Sequence, residues 1–400
     1  MTRGQTRPVE GVTEIRSARF SCDLDLHGMV AIRLENASAG DRAAVMRQLG
    51  PLPTGNRDPD LVIRFVDRLP RTSRERLIGL DAAASSTQFL VVRGKHHEPV
   101  RVVIPFQEIG NRCEIVCERG LSAVPLLIPI LNLMVLARGG IALHASAFRY
   151  RERDVLVTGW SKGGKTELLL GFAAHGARYI GDEWIYVNPD GVRIHGIPEP
   201  IRMWDWHLAQ DAGLWGKLTG SARVRLRGLR LASGILGRAG RGNGTTARRL
   251  GRVADLVDRQ RYVQLEPRAA FGERFGPLEG KVDTVIFIES HSSPATTVDV
   301  ITGQEIADRM VFSLEEERAS LRSYYRMFRF AFPEQASPLL EHASRIEQDR
   351  LREFLRTKPC HVVGHPYPPS FEALYDTVRP VLESAVTALP LPLPAPAALR

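Results

Sequence analysis

Asp154-Val155-Leu156-Val157-Thr158-Gly159-Trp160-Ser161-Lys162-Gly163-Gly164-Lys165-Thr166 is the stretch on which the reading of this chain turns. A short apolar run, Val155 to Val157, leads into a complete G-x-x-x-x-G-K-[ST] phosphate-binding loop. A nucleotide's phosphates carry dense negative charge. Backbone N–H groups must converge on them, and a Cβ atom in the path would block the approach. Gly159, Gly163 and Gly164 remove that obstacle. Lys165 reaches the β/γ oxygens, and the Thr166 hydroxyl suits Mg²⁺. The run Glu167 to Ala174 predicts a helix whose N-terminus faces the phosphates, and His175-Gly176 supplies its stop.

Working outward, Arg178-Tyr179-Ile180 predicts a short strand, and Asp182-Glu183 stands at its end, 17 residues past Lys165. A carboxylate there either accepts a proton from an attacking hydroxyl or holds the metal. The competing reading is an ordinary acidic pair at a strand end.

The pattern Gly159-x-Ser161-x-x-Gly164-Lys165-Thr166-Glu167, a helix, then Gly176-x-Arg178-x-x-x-Asp182-Glu183 resembles that of the HPr kinase/phosphorylase family. His144, in Leu143-His144-Ala145-Ser146, falls where that family carries a histidine upstream of the loop. The resemblance covers roughly residues 140–200. It implies an α/β fold: a P-loop kinase core of the HPr kinase/PEP carboxykinase-like type, with an α+β N-terminal region and a helical C-terminal part. It also implies ATP and Mg²⁺ as cofactors. Nucleotide binding would fall to Gly159, Ser161, Lys162, Gly163, Gly164, Lys165 and Thr166. Metal ligation would fall to Thr166 with Glu183, and catalysis to Asp182, His144 and Lys165. Lys162 stands where the family has glycine, Glu183 replaces a second aspartate, and Gly196 to Arg202 occupies the place of an Arg-Gly-rich signature. These departures point away from a phosphorylase and toward the HPr-kinase-related proteins found beside biosynthetic genes.

The 400 residues suffice for two domains, and the organisation expected is a small α+β region over 1–120, a kinase-like domain over 121–388 and a disordered tail over 389–400. Six strand-like runs fall in the first region: Phe20 to Asp25, Met29 to Arg33, Leu61 to Phe65, Phe89 to Arg93, Arg101 to Pro105 and Cys113 to Cys117. His96-His97 reads as an exposed loop. The apolar run Leu121 to Ala137, broken by Pro125 and Pro129, reads as a buried helix beneath the catalytic core, not a membrane span. Beyond the loop, the Thr302-Gly303-Gln304-Glu305 capping box predicts a helix toward Phe312, and further helices are expected over Leu314 to Phe330, Pro338 to Leu355 and Ser370 to Ala388. Cys22, Cys113, Cys117 and Cys360 read as free thiols. With no apolar leader after Met1, they suggest a cytoplasmic protein.

The net charge of +9 is concentrated in one segment. Lys217 to Arg252 holds ten lysines and arginines and no acid. With no aromatic between Gly216 and Arg261 for base stacking, nucleic acid is disfavoured. The remaining readings are a solvated insertion, flexible over Gly234 to Gly244, or a grip on an anionic acceptor. A homo-oligomer is compatible with the sequence.

Three functions follow. The first is a kinase acting on the hydroxyl of a peptide, a protein or a small molecule. The second is a nucleotide-binding regulatory module. The third is a hydrolytic ATPase in which Val285-Ile286-Phe287-Ile288-Glu289 serves as a Walker B strand with Glu289 as its acid.

Overall fold

Alternation of apolar and polar residues builds the first sheet. In Cys113–Glu118 every second side chain, Cys113, Ile115 and Cys117, is buried. Burial pushes the Cys113 thiol up to about 12, so it is inert as a nucleophile. The computed structural model describes residues 19–69, 76–93, 99–242 and 244–384. It is a mixed α/β structure. Eight strands form the N-terminal sheet, in the order Phe20–Leu26, Val30–Ala37, Leu61–Val66, Cys113–Glu118, Pro99–Ile104, Phe89–Arg93, Ala82–Ala84 and Arg76–Ile78. Val30–Ala37, Leu61–Val66 and Cys113–Glu118 run parallel, and the other pairings are antiparallel. The last two strands at one end of the sheet are not among those expected: Ala82–Ala84 lacks any branched side chain and is recruited by pairing with Phe89–Arg93, and Arg76–Ile78 is added by pairing with Ala82–Ala84. The His96-His97 reading lies outside the described residues.

The apolar run at Leu121 becomes helical only over Leu127–Ala137. Pro125 and a left-handed Leu126 (φ 60°) delay its start. This helix does not simply underlie the second sheet. Its side chains merge with the N-terminal sheet's apolar cluster, which also takes in Trp184 and Tyr186 from the second sheet. Leu321, Tyr325 and Phe328 join the same cluster from the C-terminal helices. Among the described residues no helix is long and apolar enough to cross a membrane.

The second sheet positions the site. Arg153–Thr158, the strand before the glycine loop, lies between Ile141–Tyr150, antiparallel, and Glu279–His291, parallel. Ile141–Tyr150 also pairs with Trp184–Val187, which pairs with Arg193–Gly196, which returns to Glu279–His291. These five strands close a ring. The sheet continues through Cys360–Pro366 to Thr297–Val300. Arg178–Gly181 adds to Ile141–Tyr150.

Two expectations are corrected. The Gly-rich stretch from Gly234 is not a flexible loop: it ends a helix, Gly220–Ala239, that folds back on a second, Thr245–Asp258. The hairpin closes because Gly240 crosses the backbone of Gly251, where an added Cβ would lie 2.8 Å from the Gly251 nitrogen. The break between the helix expected from Thr302 toward Phe312 and the one expected over Leu314 to Phe330 falls later, at Arg318: the two run over Gly303–Glu317 and Ala319–Ala331. Arg318 at the break buries its guanidinium against Glu347 of Pro338–Leu355. The last helix runs over Phe371–Glu383, and the expected tail lies outside the described residues.

Candidate active site

The loop after Arg153–Thr158 is held by strand Glu279–His291 beneath it. Gly159 adopts φ 153°, and a Cβ there would strike the Ile288 carbonyl oxygen at 2.3 Å. Gly164 adopts φ 109° and caps helix Lys165–Ala174. A Cβ at Gly164 would lie 2.3 Å from the His365 Nε2, which donates to the Gly163 carbonyl at 2.8 Å. Glycine is therefore required at both positions for conformation and for space. Ser146 Oγ donates to the Lys165 carbonyl at 2.9 Å and ties the helix start to Ile141–Tyr150. Lys165 Nζ donates to the loop's own carbonyls, Trp160 at 2.8 Å and Gly159 at 3.3 Å. Burial holds its ammonium below the usual lysine range.

The acidic pair is split by its backbone. Glu183 adopts a left-handed φ of 64°, unusual for a side chain with a Cβ. Asp182 turns toward the loop and accepts from Thr166 Oγ1 at 3.0 and 3.2 Å. Glu183 turns to His144, on the neighbouring strand directly opposite Trp184. His144 Nε2 lies 3.0 Å from Glu183 and Nδ1 lies 2.6 Å from Glu317, the last residue of helix Gly303–Glu317. Carboxylates only accept, so a hydrogen bond at each ring nitrogen requires the doubly protonated imidazolium. Burial works against that charge. The two carboxylates outweigh it, and His144 is held above its usual range. Burial would likewise raise Glu183, but the hydrogen bond and charge of His144, with Lys165, hold it below the usual carboxylate range.

Asp182 is 2% exposed. Burial, and then the charge of Glu183, push its carboxyl up to about 7, against the pull of the Thr166 hydroxyl. Glu199 shares this confinement. Burial and the charges of Glu183 and Asp182 drive it well above its ordinary range, and its Oε1 has no hydrogen-bond partner among the described residues.

These groups line a cavity of about 550 Å³. Of the residues expected at the site, Ser161, Lys162, Gly164, Lys165, Thr166, Asp182, Glu183 and His144 line it. Gly159 and Gly163 shape the loop from below. Glu289 does not reach the cavity: its carboxylate pairs with Arg309.

Several lining residues had no sequence signal. Glu317 sits in a Glu315-Glu316-Glu317 run that reads as a solvated helix face. His207 is 1% exposed, and its Nδ1 accepts from the Trp204 amide at 3.3 Å. That bond fixes the tautomer, so Nε2–H donates to Glu167 at 2.9 Å. Trp204, Trp206 and Tyr367 form an aromatic wall, with Trp206 and Tyr367 edge to face at 6.3 Å. Arg202 and Gln264 come from the paired strands Ile201–Trp204 and Tyr262–Leu265. The Pro198-Glu199-Pro200 stretch was noticeable only as a departure from a pattern.

The donor set suits a hard cation. A hydroxyl, Thr166 Oγ1, and a carboxylate, Asp182, lie side by side as hard oxygen donors. No protein-family model matches the chain, and no curated protein matches it.

Proposed function

We propose that the protein is an ATP- and Mg²⁺-dependent phosphotransferase with a P-loop kinase core of the HPr-kinase-related type, acting on the hydroxyl of a peptide, a protein or a small molecule. One observation carries this reading. Asp182, a buried carboxyl with a pKa near neutrality, is hydrogen-bonded to the hydroxyl that follows a glycine-loop lysine. A general base is most effective when its pKa lies near the working pH.

Bound Mg·ATP would supply the transferable phosphoryl group and neutralise its charge as the bond to the leaving group breaks. Thr166 and Glu183 are the residues that would hold the metal. The loop amides and Lys165 bind phosphate oxygens once Lys165 Nζ exchanges its carbonyl partners for them. Asp182 takes the proton from the acceptor hydroxyl. His144 keeps Glu183 ionised and turned away from Asp182, so that two adjacent carboxylates do different work. His207 locks Glu167, and with it the first turn of the helix behind the loop.

The test is phosphate accounting together with calorimetry on the purified chain. A kinase gives ADP only when a hydroxyl acceptor, such as serine-containing peptides or polyols, is present. Acceptor-independent phosphate release indicates an ATPase, and binding without turnover indicates a regulatory module. Lys165→Ala should abolish ATP binding while the fold survives, and undiminished binding by that variant rejects the phosphate-loop reading.

A further inference from the structure

The basic segment is a built surface, and the cavity chemistry leaves it unused. Helix Gly220–Ala239 buries Leu226 and Ser233, and helix Thr245–Asp258 buries Ala254. The opposite faces are neither plainly polar nor plainly apolar. Val224, Leu231 and Ile235 recur at helical spacing on one helix, 69%, 67% and 57% exposed. Val253 and Leu256 are exposed on the other. Arg238, Arg248, Arg249 and Arg252 are exposed among them.

Elsewhere the arginines are committed. On the inner side of the hairpin, Arg230 and Arg261 share Asp205, and Arg225 donates to the carbonyls of Tyr262 and Gln260. Among the described residues, no carboxylate pairs with Arg238, Arg241, Arg248, Arg249 or Arg252. The two acids of the hairpin follow the basic run: Asp258 is taken by Ser233 and Arg261, and Asp255 is exposed.

We propose that this outer face docks an acidic polypeptide segment bearing aliphatic side chains. Charge excludes a second copy, since two such hairpins repel. The hairpin has no Trp, Tyr or Phe, the residues that anchor an amphipathic helix in a lipid interface or stack on bases. An acidic, aliphatic segment answers both features at once: its carboxylates meet the unpaired guanidinium groups, and its apolar side chains cover the exposed stripe. The root of the hairpin frames the cavity. Arg225 is bonded to the start of strand Tyr262–Leu265, and Gln264 of that strand lines the cavity wall. A docked segment would therefore end beside the cavity. Docking itself requires no phosphoryl transfer, so its failure is distinct from failure of the reading above.

The experiment is fluorescence anisotropy on the full chain with a labelled synthetic peptide that carries Glu and Leu at helical spacing. Polyglutamate, an oligothymidylate and phosphatidylglycerol vesicles are the comparison probes. Binding should weaken steeply with added salt. Replacing four arginines, R238Q/R248Q/R249Q/R252Q, should weaken it at least about tenfold. Replacing three aliphatics, L231S/I235S/L256S, should do the same. Circular dichroism and ATP binding should be unchanged in both variants. Equal binding of polyglutamate and the Glu/Leu peptide overturns the proposal, because the stripe would then contribute nothing. Tighter binding of vesicles or oligothymidylate overturns the choice of partner. Absence of peptide binding, or full affinity in either variant, overturns the surface altogether.

Discussion

Thr166 Oγ1 and the Asp182 carboxylate lie 3.0 Å apart, joining the first turn of the helix behind the glycine loop to the end of the next strand. The contact is between the hydroxyl that follows the loop lysine and a carboxyl held near neutrality. Its partner Glu183, one residue on, is held ionised by His144. Adjacent acids are thus separated in protonation by their surroundings.

Asp182→Asn keeps the size of the side chain and removes its basicity. Turnover should fall by roughly 10²–10⁴-fold with ATP binding largely kept. The variant also reports on pH. Asp182 rises from 3.8 in an open chain to about 7 when folded, so between those values the native state holds the extra proton. Stability therefore falls as pH rises through that window. Asp182→Asn is free of this loss. Its melting temperature relative to the parent should climb from pH 5 to pH 8, by an amount on the order of a few kcal/mol in stability. A pH-independent difference would show that Asp182 does not titrate there.

His144 titrates with the same sign. Its folded pKa lies above the ordinary 6.5, so its stabilising contribution is complete below the ordinary value and is lost as pH rises through the folded one. His144→Ala leaves Glu183 and Glu317 facing each other without the cation. The cost should be about 1–2 kcal/mol at pH 6, less than for a fully buried pair because both acids reach solvent. It should shrink at pH 9. Turnover per folded molecule should fall as well, since Glu183 loses the group that orients it. Chemical denaturation at the two pH values, with steady-state rates, checks both.

His365 is wholly buried beneath the loop. His365→Ala removes the donor to the Gly163 carbonyl and opens space under Gly164. Nucleotide affinity should drop about tenfold, the scale of leaving a buried carbonyl unpaired. His365→Asn should restore part of it. An affinity equal to the parent's in His365→Ala would mean that the loop is held by strand Glu279–His291 alone.

Arg318 and Glu347 form a pair in which each side chain is 7% exposed. Arg318→Ala strands Glu347, whose carboxyl burial already pushes upward, and should cost about 3–5 kcal/mol in urea unfolding. Replacing both with Leu should recover most of that. Should the single variant unfold like the parent, the break between Gly303–Glu317 and Ala319–Ala331 does not depend on this pair.

The elements legible in the chain by itself are those whose causes are local. Loop, helix and stop follow within 18 residues from Gly159 to Gly176, because glycine conformation, helix propensity and a C-terminal glycine all act through neighbours in sequence. The acid after the following strand was legible as spacing for the same reason, and so was the strand that carries His144. The protonation states, and the residues that set them, came from elsewhere. Glu317 is 173 residues from the histidine it holds, His365 is 202 from the carbonyl it binds, and His207 is 40 from Glu167. No local pattern records such distances. They exist because five strands close a ring and bring separate helix and strand ends to one cavity. The basic segment shows the same division. Its charge was plain in the composition, but its glycines suggested a loop. Only the contact between Gly240 and Gly251, made when two amphipathic helices bury their inner faces against each other, turned it into a surface.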